Sequence, residues 1–122
     1  MKKAVCAVVA LAAAACAATG DAVRGRDVFV SRDAGHCVLC HSVPGVEVAG
    51  NVGPPLAGVG ARLSPAELRV RVADISRVNP QAAMPAFHRT ENLRRVAPSY
   101  RGRPVLSEQQ LEDVVAWLAT LK

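Results

Sequence analysis

Cys37-Val38-Leu39-Cys40-His41 constrains this chain more than any other stretch of it. A C-x-x-C-H pentad is the attachment site of c-type haem. Both thiols add to the vinyl groups of the porphyrin, and the histidine after the second cysteine becomes the proximal ligand of the iron. Two other chemistries use paired cysteines. A redox dithiol calls for a buried strand before it and a βαβ setting, whereas Ser31-Arg32-Asp33-Ala34-Gly35 reads as a turn. A structural zinc site needs a second ligand pair, and the only other cysteines, Cys6 and Cys16, lie near the N-terminus. The pentad therefore predicts one covalently attached haem c, with Cys37, Cys40 and His41 holding it.

The N-terminus speaks to compartment. Met1-Lys2-Lys3 is followed by an uncharged apolar run from Ala4 to Ala18. That run is short for a membrane span and suits the h-region of a signal peptide, with an uncleaved anchor as the alternative. Small residues around Ala15-Cys16-Ala17-Ala18 offer an A-x-A-like cleavage point. Residues 1–18 are expected to be a signal peptide and residues 19–122 the mature domain, exported to a bacterial periplasm. Cys16 is also a candidate for the lipidated residue of a lipoprotein signal. Such an anchor would tether the domain to a membrane without changing its chemistry, although Ala13-Ala14-Ala15 lacks the leucine usual before a lipidated cysteine.

What remains is one small domain of about a hundred residues. Its aromatics are only Phe29, Phe87, Tyr100 and Trp117, so a large apolar cofactor would add much to its core. A short helix is expected over Asp21 to Ser31. The Gly- and Pro-dense stretch from Pro44 to Gly60 reads as a loop. Ser64-Pro65-Ala66-Glu67 is a capping box with proline at the first helical position, and Leu68, Val72 and Ile75 recur at helical spacing towards Val78. A second irregular stretch runs from Gln81 to about Pro104, with a helical turn expected at Leu93-Arg94-Arg95-Val96. Ser107-Glu108-Gln109-Gln110 caps a last helix, lined by Leu111, Val114, Val115, Leu118 and Leu121. The fold class is all-α, with long loops around the haem.

A low-spin haem needs a sixth ligand. Met84 is the only methionine after Met1, and a thioether stabilises reduced iron; the plainer role for it is core filling. His88 is the competing distal ligand, or a solvated loop histidine. His36 is given no function. Gly53-Pro54-Pro55-Leu56 is read in two ways. The Pro54 carbonyl accepts the far N–H of the proximal histidine while Leu56 packs on the haem, or the stretch is a simple proline turn.

Cys37 to His41, Gly53 to Leu56, Met84-Pro85 and the C-terminal Leu111 to Leu118 together resemble the class I cytochrome c fold. The resemblance implies crossed N- and C-terminal helices, with Gly25 and Phe29 meeting Trp117. Gly50-Asn51-Val52-Gly53-Pro54-Pro55-Leu56, Asn79-Pro80-Gln81-Ala82-Ala83-Met84-Pro85-Ala86-Phe87 and the segment from Arg95 to Leu106 resemble more narrowly the SoxX family, the monohaem subunits of the SoxAX thiosulfate-oxidising complex. That resemblance implies a heterodimer with a SoxA-like cytochrome. The complex, an L-cysteine S-thiosulfotransferase, joins thiosulfate oxidatively to a cysteine of a SoxYZ-like carrier. The SoxX haem accepts the electrons and passes them to another cytochrome, so this chain is expected to be a non-catalytic electron-transfer subunit. The competing functions are a free-standing electron shuttle unrelated to sulfur oxidation and a haem-based sensor; the sensor needs an open sixth position.

The full chain carries +5. From Arg62 to Arg103 nine arginines face only Glu67, Asp74 and Glu91, and part of that segment is expected to contact a partner subunit. Nucleic-acid binding is not expected of an exported haem protein with so few stacking aromatics.

Overall fold

The computed structural model describes residues 18–122. The expected signal peptide, its cleavage point and Cys16 lie essentially outside these residues. Helix α1 spans Ala22–Val30, α2 Val59–Arg62, α3 Pro65–Asp74 and α4 Glu108–Thr120, with single 3-10 turns at Cys37–Leu39, Ile75–Arg77 and Pro98–Tyr100. No strand occurs among the described residues. None of their helices is long and apolar enough to cross a membrane.

Local chemistry explains where the helices start. Asp21 caps α1 by accepting from the Arg24 N–H at 2.9 Å. Ser64 and Glu67 form a reciprocal capping box on α3, with Pro65 as its first residue, and Ser107 and Gln110 do the same for α4. Each box satisfies two N–H groups that a helix start otherwise leaves without partners.

The core forms where α1 crosses α4 and α3 packs beside it. Gly25 is the crossing point. A Cβ there would run into the Asp113 carbonyl and come within 2.9 Å of the Trp117 Cβ. One turn later Phe29 meets Trp117, with ring centroids 4.8 Å apart and planes tilted by 58°, an arrangement that aromatic quadrupoles favour. Leu68 and Val72 of α3 join Leu106, Leu111, Val114, Val115 and Leu118 in the same cluster. The crossed helices and the glycine-aromatic contact are those the cytochrome c resemblance implies.

Three expectations are corrected. The loop from Pro44 to Gly60 ends early, because α2 begins at Val59; the Gly60 N–H donates to the Leu121 carbonyl at 2.8 Å. Helix α3 ends at Asp74 and passes into a 3-10 turn instead of continuing as one helix towards Val78. The Asp74 carboxylate takes the Ser76 N–H and hydroxyl at 3.1 and 2.6 Å, which diverts the chain from the helical path. Leu93 to Val96 forms no helical turn, since Asn92 and Arg95 sit at φ 55° and 56°. The turn in that region lies at Pro98–Tyr100.

Candidate haem site

The pentad folds as one tight turn, entered through His36 in a left-handed conformation at φ 47°. The N–H groups of Cys40 and His41 both donate to the Cys37 carbonyl, at 3.1 and 3.0 Å. Cys37, Cys40 and His41 are thereby held within a single turn of chain. Two further backbone bonds lay the following loop against it, from Gly50 to the Val38 carbonyl and from Gly53 to the Cys40 carbonyl, each 2.8 Å.

This stitching brings the Pro54 carbonyl to 2.8 Å from His41 Nδ1. A carbonyl only accepts, so Nδ1 carries the proton and Nε2 is left with its lone pair, the form an imidazole needs as a metal ligand. Gly53 permits the approach. A side chain there would collide with the imidazole, its Cβ falling 2.7 Å from Nδ1 and 2.8 Å from Nε2. Leu56 continues the same wall, half-buried against the core, with its N–H on the Ser42 carbonyl at 2.9 Å.

Cys37 and Cys40 are free thiols. Burial pushes the Cys37 thiol up to about 12, against the pull of its own backbone N–H. Among the described residues no three His, Cys, Asp or Glu side chains are grouped to share a metal ion. The donor set fits haem: two unpaired thiols, an imidazole in a fixed tautomer, and half-buried Val38, Val46, Leu56 and Phe87 extending the core.

Met84 lies half-buried in the loop between α3 and α4. Asn79 organises the start of that loop, accepting from Gln81 N–H at its side chain and from Ala82 N–H at its carbonyl, both 3.1 Å. Its end is clamped by His88 N–H to the Ala73 carbonyl and Leu106 N–H to the Phe87 carbonyl, both 3.0 Å. The His88 ring points towards α4, with Nδ1 2.9 Å from the Leu106 carbonyl and Nε2 2.9 Å from a Glu108 carboxylate oxygen. Arg69 completes the group, reaching Glu108 and Glu112 at 2.5 Å each. Sequence reasoning missed these contacts of His88, because its partners stand 18 and 20 residues downstream, just before and at the start of α4.

Reasoning from periodicity also missed Asp113, a buried carboxylate on the apolar side of α4. It accepts from Asp21 N–H at 2.7 Å, Arg24 Nε and Nη2 at 2.9 and 3.0 Å, and Gln109 Nε2 at 2.9 Å. The Arg24 guanidinium, with help from these N–H groups, holds the carboxyl below its ordinary range against the opposing effect of burial.

Helices crossed at a glycine, a C-x-x-C-H turn and an oriented histidine define a c-type cytochrome. The family model described as Cytochrome c matches residues 22–122, and the chain belongs to the cytochrome c family. As a member it holds haem c covalently, and Cys37 to His41 fit the attachment motif. Among solved structures it is 36% identical to a chain of SoxXA from P. pantotrophus, with a TM-score of 0.78 over 86% of this chain and 84% of that one. The SoxX resemblance of residues 50–56, 79–87 and 95–106 agrees with this match. The c-type cytochrome SorU from Sinorhizobium meliloti is 23% identical, with a TM-score of 0.53 over 81% of this chain and 87% of that one; that likeness shows the fold alone. A search of the curated proteins found no significant match.

Proposed function

We propose that this protein is the monohaem electron-transfer subunit of a periplasmic SoxXA-type complex, taking electrons from the oxidative coupling of thiosulfate to a carrier-protein cysteine. The observation that carries this reading is the likeness to a SoxXA chain at 36% identity over 86% of the sequence. The haem, when bound, supplies the one-electron couple. Cys37 and Cys40 tether it and His41 ligates it through Nε2. The Pro54 carbonyl, backed by Gly53, keeps the imidazole in that tautomer and orientation, and Leu56 packs against the ring. Met84 serves as the sixth ligand, its soft sulfur favouring the reduced state; its half-buried place in the loop between α3 and α4 supports this choice.

Bond making belongs to the partner. Both free cysteines of the described residues are in the pentad, so neither is spare to react with thiosulfate. A SoxA-like cytochrome carries the reacting thiol, a SoxYZ-like protein presents the acceptor cysteine, and a further cytochrome takes the electron onward. Export follows the N-terminal signal, with or without a lipid anchor at Cys16. The test is purification of full-length protein tagged after Lys122 from its own periplasm. Co-purification of a second haem protein, with thiosulfate reducing haem only when the carrier is added, supports the assignment. A lone cytochrome that never responds to thiosulfate leaves the free-standing shuttle instead.

A further inference from the structure

The arginines between Arg62 and Arg103 divide into two groups. Arg69 holds Glu108 and Glu112, Arg89 holds Asp74, and Arg62, Arg71 and Arg103 donate to backbone carbonyls of Ala57, Glu67 and Ser99. These five brace the fold. The side chains of Arg77, Arg94, Arg95 and Arg101 take no such partner among the described residues.

Two of this second group share one feature. Arg95 and Arg101 line a surface cleft of about 400 Å³, together with Thr90, Asn92 and Gly102, and no carboxylate is among its walls. Two guanidinium side chains in a lining without a carboxylate make the cleft attractive to an anion. Arg94 and Tyr100 lie beside these residues in sequence, and both are exposed. Arginine and tyrosine are the residue types that most often anchor a protein interface, and a guanidinium takes a carboxylate through two parallel hydrogen bonds.

We propose that the Arg95–Arg101 cleft is the docking point for the SoxA-type subunit, receiving carboxylate side chains from an acidic segment of that partner. The inference rests on the proposed function and specifies which arginines of the basic segment meet the partner. A cleft of about 400 Å³ is larger than a single small oxyanion fills and has room for side chains of a protein.

The test uses full-length holoprotein and the isolated SoxA-type subunit in calorimetric titrations at low and high salt. Arg95→Glu with Arg101→Glu is expected to weaken binding by at least about tenfold and to flatten its salt dependence, with the haem spectrum and potential unchanged. Arg32→Glu, an exposed arginine outside the segment, is expected to bind as the wild type does. Should the double variant lose its haem spectrum, Arg101→Gln, at an ordinary φ of −62°, is expected to weaken binding about threefold. Undiminished affinity in these variants, with wild type binding normally, overturns this inference alone. Wild-type protein that binds no SoxA-type subunit overturns it together with the proposed function. Uptake of sulfate or thiosulfate by wild type that the variant loses, with partner affinity unchanged, overturns it in favour of a small-oxyanion site.

Discussion

Gly25→Ala sets two effects of known size against each other. Alanine favours an interior helical position over glycine by about 1 kcal/mol, so α1 taken alone would gain. In the folded protein, however, the new methyl would meet the Asp113 carbonyl and the Trp117 Cβ, the latter at 2.9 Å. Both belong to the backbone or its first carbon, so no rotamer change relieves the contact, and α1 must move off α4. Overpacking of this kind costs about 1–3 kcal/mol, and a backbone obstacle puts it at the upper end. The net expectation is a loss of about 2 kcal/mol, a fall in Tm of roughly 10 °C for a domain of this size. The assay is thermal unfolding of holoprotein followed at the haem band and by far-ultraviolet circular dichroism. A Tm equal to or above the wild type would mean that helix propensity wins, and the tight α1–α4 crossing would be refuted.

Met84→Ala is expected to abolish the low-spin spectrum and lower the reduction potential; an unchanged spectrum would remove Met84 from the site. Asp113 has a folded-state pKa below its unfolded one, so its contribution is full at neutral pH and is lost as pH falls below about 4. Asp113→Asn should therefore be less stable than wild type at pH 7, with a smaller loss on acidification, as denaturant titrations across pH would show. Ser107→Ala removes the hydroxyl that accepts from Gln110 N–H at 3.2 Å and is expected to cost about 1 kcal/mol in chemical denaturation.

What was legible in the sequence was local. The pentad, the capping boxes at Ser64 and Ser107, and the apolar spacing of Leu68 and Val72 depend on residues within a few positions of each other. The crossing of Gly25 and Phe29 with Trp117 was legible only through the family resemblance, since nothing near Gly25 in sequence says what approaches it. The features that escaped reading depend on distant partners. Helix α2 is held by a bond from Gly60 to Leu121, and glycine-rich composition argues against any helix there. Asp113 looks like a surface residue until Arg24 and Gln109 are placed around it. The nine arginines of the basic segment look alike in sequence, and only their contacts separate those that brace the fold from those left facing solvent.

The central claim is a haem bound to Cys37 and Cys40 and ligated by His41. Its most direct test is the intact mass and visible spectrum of protein purified from the periplasm and denatured without reductant. The account predicts one haem per chain that survives denaturation, with no thiol at either cysteine open to alkylation. A mass without haem, with both thiols alkylated or joined to each other, would contradict it.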